Sequence, residues 1–335
     1  MPKKLIFLSL IRIDNLNDRG IYHDLLREFA NYGYDVTVVC PVERSTNFST
    51  RIIRSSNVTI LQVKILNIQK CNVLEKGLST ISLNFLFKRA IIKHIKDHKF
   101  DIILYSTPPI TLINLIFWLK NKNEAKTYLL LKDIFPQNAV DLSYFKAGSF
   151  LHRYFSRVEK KLYRISDKIG CMSPANVDYL AQRFPEFCNK LEVNPNCIDL
   201  TLIPVIKDTR EQIRTRWDIP LEATVFLYGG NLGKPQGVEF LLEIIKACNN
   251  EEPNAYFLII GDGTDYEKLS NWFKLNKPDN AKILKKLPKS DFDSLAFSCD
   301  VGLILLRKEF TIPNFPSRLL TYLENKLPVL SFDGE

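Results

Sequence analysis

The sequence is poor in the patterns from which metal sites and disulfide frameworks are built. Its seven cysteines are odd in number, widely spaced and without a C-x-x-C pair, which argues against a disulfide framework or zinc site and favours a reducing compartment. Its four histidines have no metal-ligand spacing with cysteines or carboxylates, and no H-E-x-x-H motif is present. We therefore expect no bound metal and no other cofactor in a cytoplasmic protein.

Long apolar runs are also missing. The longest, "ITLINLIFWL" from Ile110 to Leu119, is about half the length needed to cross a bilayer, so it predicts a buried helix. The N-terminus has a positive start, but its short apolar run is interrupted by Arg12 and followed by no small-residue cleavage pattern. It is predicted to be the first strand and not a signal peptide.

The excess of positive over negative charge lies in one part of the chain. Residues 1–205 hold 29 Lys+Arg against 18 Asp+Glu, a net charge of +11, whereas residues 206–335 hold 17 against 19, a net charge of −2. The first part is therefore expected to meet an anionic partner. Nucleic acid is not expected to be that partner, because no recognised nucleic-acid motif accompanies the charge.

Strand-like runs alternate with helical patterns along the whole chain. In the first part these runs are "KLIFLSL", "DVTVVCP", "VTILQVKI", "FDIILYS", "KTYLLLKD" and "KIGCMSP", and in the second they are "TVFLYGG", "AYFLIIGDG", "AKILKKL" and "VGLILL". The alternation predicts an α/β fold with two Rossmann-like, doubly wound parallel-sheet domains, 1–205 and 206–335. Such domains bind ligands at the carboxyl ends of their strands, so the cleft between them is the expected site.

Glycine-rich turns follow two strands of the second domain. "YGGNLGKPQGVEFLLEII" follows a strand and opens a helix, where free N–H groups favour a phosphate. An ordinary glycine-rich turn is the alternative, since this is neither a P-loop nor a dinucleotide fingerprint. The second turn, in "LIIGDGTDYEKL", would line a nucleotide base, although such a motif is more often structural. The candidate residues of the two turns are Gly229, Gly230, Asn231, Gly233, Lys234, Gln236, Gly237, Gly261, Asp262 and Gly263.

Three further segments supply candidate site residues. Gly20 lies where the first strand turns into its helix and would let a diphosphate lie against the backbone. Asp133, in "LLLKDIFPQNAV", ends a central strand where a carboxylate could orient or deprotonate a hydroxyl, or could cap a helix. In "FPSRLL", Ser317 is expected at the start of a helix and Arg318 in its first turn, where an arginine can grip a diphosphate or simply remain solvated.

Two helical segments combine basic and aromatic residues, "FLFKRAIIKHIKDHKF" and "FLHRYFSRVEKKLYRI". The pattern is typical of interfacial helices that place aromatic side chains among lipid headgroups and cations against anionic lipid. It is also typical of an ordinary helix with one core face and one solvent face.

Seven motifs occur in an order that resembles family 4 retaining glycosyltransferases of the two-domain GT-B fold, over nearly the whole chain. These are "RGIYHDLLREFANYGYDVTVV", "LKDIFPQNAV", "SPANVDYL", "VNPNCID", "GGNLGKPQGVEFL", "IIGDGTDYEKL" and "FPSRLLTYLENKLPVL". The resemblance is greatest to the WbuB-like branch, which builds O-antigen and capsular polysaccharide, components of lipopolysaccharide and capsule.

The resemblance implies a nucleotide-diphosphate sugar, expected to be UDP-linked, in the C-terminal domain. It implies a polyprenyl-diphosphate-linked glycan acceptor in the N-terminal domain, and a peripheral location at the inner face of the bacterial plasma membrane. Retaining members are thought to let the leaving diphosphate take the acceptor proton on the same face, without a metal. Arg318 and Lys234 would then stabilise the developing charge.

The sequence departs from the family pattern in two places. Aligned on Pro328, the two glutamates of the family's E-x7-E motif fall at Pro313 and Thr321, and Glu324 lies one helical turn further on. Thr321 and Glu324 are kept as candidate contacts to the donor. Family members also continue beyond Glu335, so the C-terminal domain is expected to be incomplete.

Two other functions remain open at this point. A truncated or non-catalytic relative would keep the fold and bind nucleotide sugar or a partner without turnover. An epimerase of the same architecture would need carboxylates and histidines at the sugar, and residues 206–335 contain no histidine. Transfer of a sugar from a nucleotide donor to a lipid-linked glycan is the predicted function.

Overall fold

The computed structural model describes residues 2–46, 48–67 and 73–332, with all of their side chains except those of residues 73–81 and 250. Cys71 and the chain end at Glu335 lie outside the described residues. The chain forms two compact units, of which unit 1 comprises Met1–Ile198 with Ile312–Asn314 and unit 2 comprises Asp199–Thr311 with Phe315–Glu335. The domain division at residue 205 stays a prediction.

Unit 1 is built on one sheet of eight strands. They are β1 (Lys4–Leu8), β2 (Asp35–Glu43), β3 (Arg51–Ser55), β4 (Val58–Ile65), β5 (Ile102–Ser106), β6 (Lys126–Leu131), β7 (Lys168–Cys171) and β8 (Leu191–Val193). The order is β3-β4-β2-β1-β5-β6-β7-β8, and every neighbouring pair is parallel except β3 with β4. The carboxyl ends of the parallel strands therefore meet at one edge of the sheet.

Helices connect the parallel strands of unit 1. They are α1 (Ile21–Asn31), α2 (Val73–His94), α3 (Ile113–Asn123), α4 (Gln137–Asp141), α5 (Phe150–Ile165) and α6 (Pro174–Arg183). The apolar side of α1 packs on the sheet, where Tyr22 and Leu26 contact the cluster that contains Phe7 and Val38. The predicted buried helix at Ile110–Leu119 is a 3-10 turn followed by α3, whose Leu115, Ile116 and Leu119 are buried.

Unit 2 contains a second sheet, of five parallel strands. Its elements are α7 (Arg210–Arg216), β9 (Thr224–Asn231), α8 (Val238–Glu251), β10 (Ala255–Asp262), α9 (Tyr266–Asn276), β11 (Ala281–Lys285), α10 (Lys289–Ser298), β12 (Val301–Leu305), α11 (Arg318–Glu324) and β13 (Val329–Phe332). The strand order is β11-β10-β9-β12-β13. Alternate residues of β9 enter different core clusters, Val225 and Leu227 in one and Tyr228 in the other, so helices cover both faces of the sheet.

The predicted fold class is confirmed, since both units are parallel-sheet α/β structures. The sequence-based strand set omitted β3 and β8, at the two edges of the unit 1 sheet, and β13, at one edge of the unit 2 sheet. β8 and β13 are only three and four residues long, and β3 carries Arg51 and Arg54, so none has the apolar run from which the central strands were recognised. Among the described residues, no helix combines the length and apolar character that a bilayer crossing requires.

Candidate functional site

Two glycine-rich turns lie side by side in unit 2, because β9 and β10 pair in register through Gly230 with Gly261 and Asn231 with Asp262. A Cβ atom at Gly261 would lie 1.9 Å from the carbonyl oxygen of Gly230. Gly230 itself has a φ of +116°, a backbone angle that residues with a side chain rarely adopt. The backbones approach so closely that only glycine fits at Gly261.

The first turn does not lead directly into its helix. Residues Lys234–Gln236 form a 3-10 turn, and Gly237 follows in the left-handed region with a φ of +57° before α8 begins at Val238. Gly237 lies at the N-cap of α8, and no side chain caps the helix there. The N-terminus of α8 is thus presented at the carboxyl edge of the sheet, as the sequence predicts.

Arg318 is brought to these turns from 87 residues away in the sequence. Its Nη2 atom donates to Gln236 Oε1 at 2.6 Å and to the carbonyl oxygen of Asn231 at 3.2 Å. The guanidinium lies over the ring of Tyr228, 4.2 Å from the centroid. These three contacts hold the side chain in one orientation.

One nitrogen of Arg318 is left for an additional partner. Its Nη1 atom is buried and donates no hydrogen bond within the described part of the chain. A buried charged donor without an acceptor is costly, and native proteins usually satisfy such groups with protein, water or ligand. An anionic oxygen is the natural acceptor for this atom.

The other candidates of α11, and Asp262 at the end of β10, have different surroundings. Ser317 is the N-cap residue of α11, but its hydroxyl makes no capping bond to the helix. Thr321 accepts a bond from Asn325 through its main-chain carbonyl. Glu324 has a largely buried carboxylate, 3.9 Å from the Lys289 ammonium. Asp262 accepts from the main-chain N–H of Gly263 at 2.9 Å.

Tyr322 is a positioning residue that the sequence analysis missed. The main-chain N–H of Gly229 donates to its hydroxyl at 3.1 Å, and the hydroxyl in turn lies within bonding distance of the Leu227 and Leu303 carbonyl oxygens. Its ring occupies the space that a side chain at Gly302 would need. Tyr322 therefore fixes α11, and with it Arg318, against β9 and β12. In "RLLTYL" it is indistinguishable from an ordinary core residue.

Unit 1 presents a second group of polar residues at the carboxyl edge of its sheet. Asp133 follows β6, and its main-chain carbonyl accepts from the Thr107 hydroxyl at 3.1 Å. Asp133 is exposed at this edge, and the protein that surrounds one side of its carboxyl partly desolvates it and so raises its pKa. Asp133 does not cap a helix, because α4 begins at Gln137 with Pro136 at the N-cap, so that alternative is wrong.

Three residues at the same edge of the sheet extend this group. Burial raises the pKa of Tyr22, a bond to Ser106 opposes the change, and the Asp133 carboxylate adds to it. Burial also lowers the pKa of Lys132 to about 8, and its Nζ atom donates to Met172 Sδ at 3.3 Å. Gly20 is the N-cap residue of α1, with extended backbone and its N–H directed to Asp24 Oδ1. The contacts of Tyr22 and Lys132 at this edge were not foreseen. The helical pattern puts Tyr22 on the core side of α1 with Leu26 but does not show what it meets, and nothing in the local sequence of Lys132 indicates burial.

No group of three or more His, Cys, Asp or Glu side chains suited to a metal ion occurs among the residues whose structure is described. All six cysteines in those residues are free. Arg318, Lys234, the side-chain amides of Asn231 and Gln236 and main-chain N–H groups at the unit 2 turns supply donors suited to phosphate oxygens. The carboxylate of Asp262, at the second turn, accepts from the Gly263 N–H.

Comparisons with known proteins bear on the family and the fold. Residues 21–202 match the family model described as Glycosyltransferase Family 4, and residues 209–335 match the model described as Glycosyl transferases group 1. The chain is 24% identical over 323 residues to the probable glycosyltransferase WbjE of Pseudomonas aeruginosa, a match that covers 95% of this chain and 77% of that protein.

Solved structures with the same fold include sucrose-phosphate synthase from Thermosynechococcus elongatus, with a TM-score of 0.71 and 14% identity over 98% of this chain and 81% of that one. Another is Anabaena HepE in complex with UDP and glucose, with a TM-score of 0.65 and 15% identity over 98% of this chain and 80% of that one. At these identities the likeness shows the fold alone, which is GT-B.

Proposed function

The chain belongs to glycosyltransferase family 4, and from that membership we propose that this glycosyltransferase moves a sugar, with retention, from a UDP-sugar to a lipid-linked glycan. The acceptor is a polyprenyl-diphosphate glycan at the inner face of the plasma membrane. The product belongs to a surface polysaccharide such as capsule or O-antigen. Support for an anionic, lipid-linked acceptor is the net positive charge of residues 1–205, and the surface-polysaccharide product rests on the resemblance of the motifs to the WbuB-like branch.

The observation that carries the proposal is the Arg318 side chain. It is oriented by Gln236, Asn231 and Tyr228 and has a buried Nη1 without an acceptor in the described part of the chain. Beside it are the close main-chain turns at Gly230 and Gly261. A diphosphate bound there would receive a charge-assisted bond from Arg318 and main-chain N–H bonds from the turn, which is the chemistry that a nucleotide-sugar donor offers.

In the proposed reaction, the bond between the sugar's anomeric carbon and the β-phosphate oxygen breaks while a bond to the acceptor hydroxyl oxygen forms on the same face. The acceptor proton passes to the departing phosphate oxygen. Negative charge grows on the diphosphate as the bond breaks, so Arg318 and Lys234 stabilise the transition state more than the bound donor. These cations fill the role that a divalent metal has in other transferases, and we propose that none is needed.

The acceptor side of the proposal uses unit 1. Asp133 has a raised pKa and access to water, so in its ionised form it can orient the acceptor hydroxyl. Gly20 at the start of α1 offers main chain to an anionic acceptor group. Thr321 and Glu324 are proposed to contact hydroxyls of the donor sugar.

A donor screen tests the proposal. Binding of UDP, GDP and dTDP, and turnover of their sugars with a polyprenyl-diphosphate-sugar acceptor, are measured by calorimetry and product analysis with and without EDTA. We expect UDP to bind and Arg318→Ala to weaken that binding about ten- to hundredfold, the value of a lost charge-assisted hydrogen bond. Arg318→Lys retains the charge but loses the planar fork, and should give an intermediate result.

The matched control is Arg216→Ala, an exposed arginine of unit 2 that pairs with Asp208 at the end of α7. Equal UDP affinity in the Arg318 and Arg216 variants would rule out the diphosphate site. Loss of turnover in EDTA would show that sugar transfer needs a metal ion, against the proposal. Binding without turnover would favour a non-catalytic relative.

A further inference from the structure

Helix α5 of unit 1 begins with large apolar side chains that face water. Phe150 is 83% exposed, Leu151 50% and Tyr154 48%, and Tyr144 in the preceding loop is 62% exposed. Solvent-facing aromatic side chains at this density within eleven residues are uncommon on a water-soluble surface. They indicate a surface that meets an apolar or interfacial partner.

The rest of the exposed side of α5 is cationic. Its exposed cationic side chains are Arg153, Arg157, Lys160, Lys161 and Arg164. The only acid of the helix, Glu159, is 1% exposed and faces the core. Lys160 is paired with Glu186, 2.6 Å away, and within the described residues no ion pair joins the other four cations to an acid. Aromatic and basic residues three or four apart thus share one side of the helix.

The exposed aromatic end rests on a fixed base. Below it, the rings of Phe135, Phe145 and Phe155 contact one another, with centroids 5.0 to 6.2 Å apart. The hydroxyl of Ser149 caps the helix by accepting from the His152 N–H. The apolar side chains of the first turn are therefore held outward by packing beneath them.

The topology also gives this end a definite place in unit 1. Helix α5 connects β6 to the parallel strand β7, so its first turn lies at the carboxyl edge of the sheet. Asp133 follows β6 at that same edge, and Phe135 of the aromatic base is two residues further along. A partner whose surface contacts the first turn of α5 would therefore lie next to the polar group around Asp133.

We propose that the side of α5 formed by Tyr144, Phe150, Leu151, Tyr154, Arg153, Arg157 and Lys161 docks unit 1 on an anionic lipid bilayer. The aromatic and leucine side chains enter the headgroup region, and the arginines and lysine contact lipid phosphates. The docking surface itself does not depend on the proposed function. Its purpose rests on that function, since docking would bring a lipid-linked acceptor to the sheet edge that carries Asp133.

A lipid surface fits this side better than a protein does. Apart from the Lys160–Glu186 pair, the charge on this side is cationic throughout, whereas the core of a protein interface is depleted of charged residues other than arginine. A second copy of this chain would place the same cations against each other, which is unfavourable. Anionic headgroups are complementary to the whole surface.

The test is co-sedimentation of the full chain with vesicles, in the absence of donor and acceptor. We expect binding to phosphatidylcholine vesicles that contain phosphatidylglycerol, little binding to phosphatidylcholine alone, and weaker binding at high salt. The charge variant Arg153→Gln/Arg157→Gln/Lys161→Gln should bind about a hundredfold less tightly, at about fivefold per cation. The apolar variant Phe150→Ser/Leu151→Ser should lose at least about tenfold.

Each variant has a matched control elsewhere on the chain. Tyr32→Ser/Leu275→Ser removes side chains that are 81% and 83% exposed, and Lys93→Gln/Lys96→Gln/Lys99→Gln removes three exposed lysines around the end of α2, near the opposite edge of the sheet. These controls should bind as the unchanged chain does. Because all the substituted residues are exposed, unaltered circular dichroism is expected throughout.

Equal vesicle affinity in the α5 variants and their controls would overturn the proposal, as would binding that ignores phosphatidylglycerol. Self-association that is lost in the α5 variants, without vesicle binding, would assign this side to a second copy and also overturn it. Vesicle binding by a chain that transfers no sugar would uphold the docking surface and refute the proposed function alone.

Discussion

Replacing Glu159 with glutamine should stabilise unit 1 at neutral and alkaline pH. Glu159 is the inward-facing acid of α5, and the Tyr163 hydroxyl donates to its Oε1 at 3.0 Å. Its Oε2 has no hydrogen-bond partner among the residues described. Burial raises the pKa of this carboxyl from 4.5 to about 7, against the opposing effect of the Tyr163 bond.

The size of the effect follows from the two pKa values. Because the folded chain holds the proton more tightly than the unfolded chain, the stability that Glu159 contributes is full below pH 4.5 and is lost as pH rises through about 7. At about 1.4 kcal/mol per pKa unit, the difference between 4.5 and about 7 amounts to about 3 kcal/mol. Glutamine stays neutral and can still accept from Tyr163, so Glu159→Gln should gain up to about 3 kcal/mol at pH 8 and almost nothing near pH 4.5.

Urea unfolding from pH 5 to 8 measures this difference. Trp118 of α3 reports on unit 1 when Trp217 and Trp272, the other two tryptophans, are replaced by phenylalanine in every chain compared. Glu186→Gln is the control, because Glu186 is an exposed acid whose bond to Lys160 lowers its pKa, so its removal should give no gain at pH 8. An unfolding free energy that falls with pH equally in Glu159→Gln and the parent would refute the reasoning.

Three further outcomes are expected. Because burial raises the pKa of Asp133, transfer should slow as pH falls through that pKa, and Asp133→Asn should lower kcat about 10²- to 10⁴-fold with UDP affinity unchanged; loss of UDP binding would contradict this. Gly261→Ala puts a Cβ 1.9 Å from the Gly230 carbonyl oxygen, whereas at Gly233 the nearest atom is a side-chain tip 3.1 Å away. Thermal unfolding should therefore show a loss of at least about 1–3 kcal/mol for Gly261→Ala and much less for Gly233→Ala, and equal losses would count against the close turn. Burial lowers the pKa of Lys132 to about 8, so its rate of acetylation in competition labelling should be half-maximal near pH 8. A midpoint above pH 10 would show that burial does not lower this pKa.

The central strands of both sheets were predictable because their signal is local. Runs such as "FDIILYS" and "AYFLIIGD" bury both faces of a parallel sheet, and burial on both faces requires a continuous apolar sequence. The edge strand β3 buries little and carries charge, so the same logic could not find it.

The glycine turns were predictable for a related reason. Glycines directly after a strand indicate close main-chain approach, and Gly261 against Gly230 shows such an approach. The sequence could not say which main chain was approached. Its helix-cap alternative for Asp133 failed because Pro136 occupies that position.

The sequence by itself determined the alternation of strands and helices, the glycine positions, the family and the basic-aromatic composition of α5, because each of these depends on neighbouring residues. Tertiary structure alone decided that Arg318 meets Asn231 and Gln236, that Tyr322 anchors its helix, and which side of α5 faces water. It also decided the pKa changes of Lys132, Asp133 and Glu159. Burial and long-range contacts arise only when distant segments pack together, so no local pattern can reveal them.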